Sequence, residues 1–277
     1  MKALPLDTLS RAAAAVVFLS AIPTVSAQWL NYPTAGVPKN PDGTRNLSAP
    51  APKTADGKPD LSGLWGNYCP STGGKTVLCA PEIAVPQLFG DIGRGVKGGL
   101  PYQVWAADVV QARRAENGKD DPTTHCLPGG IAKLHTSALL RKIVEVPGLV
   151  IFQTERNASY RQIFTDGRPL PEDPNPSWNG YSTGHWEEDT LVVETSGLLE
   201  GQWLDRAGSP LTSTARLTER FRRPNYGTLE IEMTVNDPKA YTKPWTVQLK
   251  QGLALDTELL DYIGLENERD NAHLVGK

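Results

Sequence analysis

The run Tyr160-Arg161-Gln162-Ile163-Phe164-Thr165-Asp166-Gly167-Arg168 carries the most distinctive set of chemically useful side chains in the sequence. Read as a strand that enters a turn, its alternation puts Tyr160, Gln162 and Phe164 on one face. Arg161, Ile163 and Thr165 fall on the other. Asp166 and Arg168 bracket the turn glycine. One reading is a salt bridge inside the turn. The other is a ligand site, in which Arg161 or Arg168 meets an anionic group through its forked donors. Tyr160 or Trp178 would then pack on the ligand's apolar part.

Three further patterns bear on catalysis. Gly180-Tyr181-Ser182-Thr183-Gly184 matches the G-x-S-x-G of a nucleophile elbow. That chemistry needs a strand before the serine and a helix after it. Here a proline-rich loop precedes and a strand pattern follows, so the segment reads as a glycine-flanked strand start. His125, Cys126, His135 and His185 are metal-ligand types, but no close His-x-His or Cys-x-x-Cys spacing joins them, and no metal is expected. His185, Asp166 and Arg168 are the candidate catalytic groups. Glu155, Asp166, Glu187 and Asp205 could act as acid or base, though their spacing selects no pair. His185 precedes Trp186 directly, so the two should face opposite ways on a strand.

Holding these groups requires strands. Arg141–Val146 and Leu149–Thr154 flank the turn signal Pro147-Gly148, and Tyr160–Thr165 follows. Ser182–Glu187 and Thr190–Thr195 flank Glu188-Asp189. Ala215–Arg222 and Thr228–Val235 flank Pro224 to Gly227, and Trp245–Leu253 and Glu258–Ile263 complete the set. One helix begins at Pro101 and stops near Asn117-Gly118. A short second one is expected over Glu266–His273. Residues 118–137 read as loop, inside a loop and helix insertion at 66–137. Residues 28–58 read as an extended arm, and 59–277 as a single domain. Hairpin-length connections and few helices predict a mainly β fold, an antiparallel barrel with one or two flanking helices.

Composition agrees with a folded chain rich in turns. Of 277 residues, 26 are Gly and 23 Pro, and hydrophobic residues make up 39%. A net charge of −3 without basic blocks argues against nucleic acid as a partner. Lys2 and Arg11, the apolar stretch 12–22 and Val25-Ser26-Ala27 form a signal-peptide pattern over residues 1–27, too short to span a bilayer. A periplasmic or secreted location follows. Export permits disulfides, and Cys69 and Cys79 around Ser71-Thr72-Gly73-Gly74 are the favoured pair. Cys126 is then left over, either as a reactive thiol beside His125 or as an inert buried one.

Several motifs carry a resemblance. Asp60-Leu61-Ser62-Gly63-Leu64-Trp65, the run Gln162 to Pro171, Asp173 to Trp178, Gly184-His185-Trp186, Asp189 to Thr195, Glu219-Arg220-Phe221 and Glu266 to Asp270 resemble a family of uncharacterised secreted bacterial proteins. The resemblance implies export and a shared fold. Relatives often carry a cysteine just before the final acidic segment, near the place of Gly264 here, which speaks against a bridge from Cys126 to the C-terminus. Gly63-Leu64-Trp65 is also similar to the opening Gly-x-Trp of lipocalin-like barrels. That similarity implies an arginine, Arg220 or Arg222, stacked over Trp65. The aromatic supply, including Trp65, Trp178, Trp186, Trp203 and Trp245, suits a barrel that binds a small, partly apolar or aromatic molecule. Tyr160, Arg161, Trp178 and Trp186 are its expected ligand residues. No cofactor is expected. The alternatives are an exported hydrolase or lyase in the same barrel, and an envelope interaction module using the 28–58 arm.

Overall fold

A computed structural model describes residues 33–70, 76–78 and 90–264. The expected signal peptide 1–27, Cys79 and with it the favoured Cys69–Cys79 pair, and the helix expected over Glu266–His273 lie outside the described residues. The strands are β1 (Gly63–Gly66), β2 (Tyr68–Pro70), β3 (Thr76–Leu78), β4 (Arg141–Val146), β5 (Leu149–Thr154), β6 (Tyr160–Phe164), β7 (Tyr181–Glu187), β8 (Thr190–Ser196), β9 (Gln202–Trp203), β10 (Pro210–Leu211), β11 (Arg216–Asn225), β12 (Thr228–Asn236) and β13 (Trp245–Leu253). Among the described residues two α-helices accompany them, α1 (Val104–Ala115) and α2 (Gly130–Thr136).

Nine strands close into a barrel in the order β1-β13-β12-β11-β8-β7-β6-β5-β4, with β4 pairing back onto β1. The period of two dictates the two faces. Leu217, Glu219, Phe221 and Arg223 of β11 are buried, as are Leu229, Ile231, Met233 and Val235 of β12. Their neighbours in sequence face outward. Gly148 at φ +78 and Glu188 at φ +52 make the β4–β5 and β7–β8 turns.

The barrel is mixed rather than purely antiparallel. β6 and β7 run parallel, with Ile163 opposite Ser182 and Phe164 opposite Thr183. A parallel neighbour needs a long crossover. The proline-rich segment 165–180 supplies it and returns the chain to the end of the barrel where β6 began.

Two other expectations need correction. Residues 258–263 form no strand; Tyr262 makes only an isolated bridge to Arg156. β13 already closes onto β1, and Asp256, at φ +58, turns the chain away. The stretch expected as loop at 118–137 contains α2, whose seven residues are all buried. The ring of His135 in α2 lies against Phe152 of β5 and Phe221 of β11, at 6.2 and 5.8 Å between centroids. The helix therefore plugs one end of the barrel.

The other end is bordered by the chain before β1. Leu47 and Leu61 are buried against the barrel, and the Tyr226 and Gly227 amides donate to the carbonyls of Ala49 and Leu47. Outside, α1 packs Ala106 and Val110 inward, and the Trp105 indole donates to the Lys239 carbonyl at 2.7 Å.

Candidate binding clefts at the two ends of the barrel

Alternation drives Arg161 of β6 into the barrel interior, where a bare guanidinium would be costly. The neighbouring strands satisfy it. Its Nη1 donates to Glu219 Oε1 at 3.0 Å, and Nη2 meets Glu219 Oε2. Ser182 on β7 and Thr195 on β8 accept from it at 3.0–3.2 Å. Burial would raise the Glu219 carboxyl, but Arg161 and His135 outweigh it and hold it at about 2. His135 Nε2 lies 2.6 Å from Glu219 Oε1. Burial lowers the His135 pKa, with Glu219 opposing, so the ring donates as a neutral imidazole.

Arg141 of β4 is also fully buried, and its Nη1 approaches His135 Nδ1 at 3.5 Å. Its Nε and Nη2 have no hydrogen-bond partner. Burial lowers its pKa to about 9. This network is a structural core of the plugged end. Every nitrogen of Arg161 is occupied by protein, so the expected ligand role of Arg161 is replaced by one in holding β6, β7, β8 and β11 together.

At the open end lies a cleft of about 540 Å³. Residues 54–62 form one side, and the β4–β5 turn forms another. Val150 and Trp186 contribute apolar surface, and Glu145 contributes a carboxyl. Trp186 shares the inward face of β7 with Ser182 and Gly184 and packs half-buried against the core. Glu145 shares the inward face of β4 with Arg141 and Ile143. Its Oε1 accepts from the Leu61 amide at 2.9 Å. Burial, and to a lesser degree the charge of Asp60, push its pKa up to about 7.

A second cleft of about 260 Å³ lies beside α2, lined by Lys133, Arg156, Arg206, Asp121, Thr123, Ser137 and others. Asp121 takes both carboxylate oxygens to Lys133 Nζ, at 2.6 and 2.7 Å.

The remaining expected site residues do not converge. Asp166 and Arg168 form the turn salt bridge on the surface, at 2.6 Å, with the guanidinium 4.0 Å from the Phe164 ring centre. His185 is exposed and lies 3.3 Å from Glu187. His185, Asp166 and Arg168 therefore share no pocket as a catalytic set. Tyr160 is 64% exposed and borders a separate outer cleft. Trp178 is half-buried in the crossover, and its carbonyl accepts from Gln202. Ser182 is fully buried on Arg161 and Thr195 and is no exposed nucleophile. Gly180 is required there, since a Cβ would stand 2.5 Å from the Ser196 carbonyl.

The arginine over Trp65 is Arg223, 4.9 Å from the ring centre, rather than Arg220 or Arg222. Those two face outward onto Glu187 and Glu230. Cys126 is a free thiol. Among the described residues no three His, Cys, Asp or Glu side chains are grouped to hold a metal, and no helix is long and apolar enough to cross a membrane. The chain matches no protein-family model, and no curated protein matches it significantly.

Sequence reasoning missed Glu145 and the Arg156–Arg206 pair. For Glu145 the signal was present: an acid two and four residues from Ile143 and Arg141 on the buried face of a strand. Arg156 and Arg206 come from separate loops, and only the closed barrel brings them together.

Proposed function

We propose that this chain is an exported protein that binds a small, partly apolar or aromatic molecule carrying an amine at the open end of its barrel. One observation carries the reading. Trp186 and Glu145 line the same cleft, whose volume suits a small organic ligand. The indole offers a flat apolar surface and attracts a cation through its ring face. The Glu145 carboxyl, with one acceptor oxygen taken by Leu61, retains capacity for an ammonium donor. Asp56 and Asp60 on the facing segment add negative charge against Lys58 in the lining and the nearby Arg223, whose guanidinium is taken up by the Asp60 and Ser62 carbonyls. Export rests on the basic, apolar and small-residue pattern of residues 1–27.

Calorimetric titration with phenethylamine and its neutral counterpart phenethyl alcohol tests this. Saturable amine binding is expected, at least tenfold weaker in Glu145→Gln and in Trp186→Ala. The alcohol should be insensitive to Glu145→Gln. Absent amine binding, or equal affinity in both variants, would overturn the reading. Native mass spectrometry of protein from its own host would add the mass of any retained molecule.

A further inference from the structure

We infer that the cleft beside α2 is a binding site for a phosphate group, free or as a small monoester. The site lies at the far end of β5 from the amine cleft, so the two can be tested separately. Its lining carries three cations, Lys133, Arg156 and Arg206, against one carboxylate, Asp121. Asp121 is already fully engaged. Besides Lys133, it accepts from the Thr123 amide at 2.9 Å and hydroxyl at 2.8 Å. The positive charge left over sits on two guanidinium groups that form no ion pair among the described residues. The Nε of Arg156 is buried without a hydrogen-bond partner. An unpaired buried donor is expensive, and two arginines facing one cleft match the oxygens of a dianion by forked donation.

The site is built rather than incidental. Arg206 lies across Gly90, whose φ is +64. A Cβ on Gly90 would stand 2.4 Å from Arg206 Cδ, so the absence of a side chain there lets the arginine lie against the backbone. The Arg206 amide donates to the Gly90 carbonyl at 2.7 Å, which fixes the two strands of chain together. Arg156 is held through its own backbone bridge to Tyr262. Ser137 Oγ accepts from the Leu139 amide at 3.1 Å, which leaves its hydroxyl proton for a ligand oxygen. The volume accommodates a phosphate with a small organic substituent.

Titration calorimetry at pH 8 and fixed ionic strength, with inorganic phosphate and with glycerol 1-phosphate, tests the assignment. Saturable binding is expected for at least one of them. Tighter binding of inorganic phosphate identifies the free ion as the ligand, and tighter binding of the ester identifies a monoester. Arg156→Gln and Arg206→Gln should each weaken binding at least tenfold, and Gly90→Ala several-fold by displacing Arg206. Glu145→Gln should leave it unchanged. Arg206 is exposed, so its variant is expected to fold, and an unaltered thermal midpoint confirms that. No saturation up to about 10 mM of either anion, or full affinity in a folded Arg206→Gln protein, would overturn the inference.

Discussion

Glu145 sits on the inward face of β4, where burial pushes its carboxyl up to about 7. Its folded pKa lies above the unfolded value, so it is harmless below about pH 4.5. It costs stability as the pH rises through 7. Glu145→Gln keeps the shape and an oxygen for the Leu61 amide. The variant is expected to be more stable than the wild type at pH 8, by on the order of 1–2 kcal/mol after allowance for partial solvent screening. Near pH 4.5 the two should coincide. Urea unfolding at the two pH values measures this; a less stable variant at pH 8 would show that the carboxylate has a favourable partner. The same substitution should weaken amine binding at least tenfold, so that under the proposed function Glu145 gives up stability for binding.

Cys126 offers a second residue-scale test. A Cβ on Gly264 would stand 2.6 Å from Cys126 Sγ, so the two positions are neighbours although 264 carries no thiol. Gly264→Cys should close a bridge to Cys126 under oxidising conditions. A small shift of the neighbouring thiol would be needed to reach disulfide geometry. The bridge would stabilise by about 2–4 kcal/mol, lost on reduction. Intact mass and the thermal midpoint with and without reductant decide it. Cys126 is a free thiol, and the geometry shows only one side chain missing at 264.

At the scale of elements, Arg223 ties the end of β11 to the segment that borders the amine cleft. Its Nη1 donates to the Asp60 and Ser62 carbonyls at 2.6 and 3.1 Å while the guanidinium covers Trp65. Arg223→Met keeps the stem but leaves those carbonyls without the charged donor, at a cost of about 2–3 kcal/mol. Arg220→Met and Arg222→Met break only exposed ion pairs and should cost about 0.5 kcal/mol or less. Faster amide exchange at Leu61 in the first variant alone would confirm the tie; equal effects in all three would refute it. The choice of arginine also shows what was legible in the sequence. Alternation alone assigned Arg161 and Ile163 to one face and Tyr160 to the other, and the structure agrees. The same alternation, extended one residue past Arg222, would have turned Arg223 inward with Glu219 and Phe221. α2 escaped because its seven residues are too few to show a helical period, and Lys133, His135 and Thr136 are buried beside Ile131 and Leu134, so polarity does not mark an outer face. The parallel β6–β7 pair escaped because a proline-rich stretch reads as loop whether it ends in a hairpin or a crossover. The two clefts escaped because each is assembled from elements distant in the chain.

At the scale of the whole molecule, the plugged end makes the barrel sensitive to acid in two stages. His135 is neutral when folded, because burial lowers its pKa below the free value of 6.5. Glu219 stays ionised down to about 2, against 4.5 when unfolded. Both folded values lie below the unfolded ones. Each contribution is therefore complete above the unfolded pKa and lost as the pH falls toward the folded one. His135 erodes stability below about pH 6.5, and Glu219 adds to the loss between about 4.5 and 2. Glu145 acts oppositely, since acidification through 7 relieves it. Stability should therefore peak on the mildly acidic side of neutrality. His135→Gln separates the stages, because glutamine can still donate to Glu219 but cannot take up a proton. Between pH 6.5 and 5 the wild type should lose stability more steeply than this variant, by at most about 1.4 kcal/mol per pH unit. Below pH 4.5 Glu219 adds the same loss to both, because it remains in each. Parallel curves over the upper interval would mean that His135 is charged in the folded barrel, and Glu219 would then hold two cationic neighbours, Arg161 and the imidazolium, instead of one arginine and a hydrogen-bonded neutral imidazole.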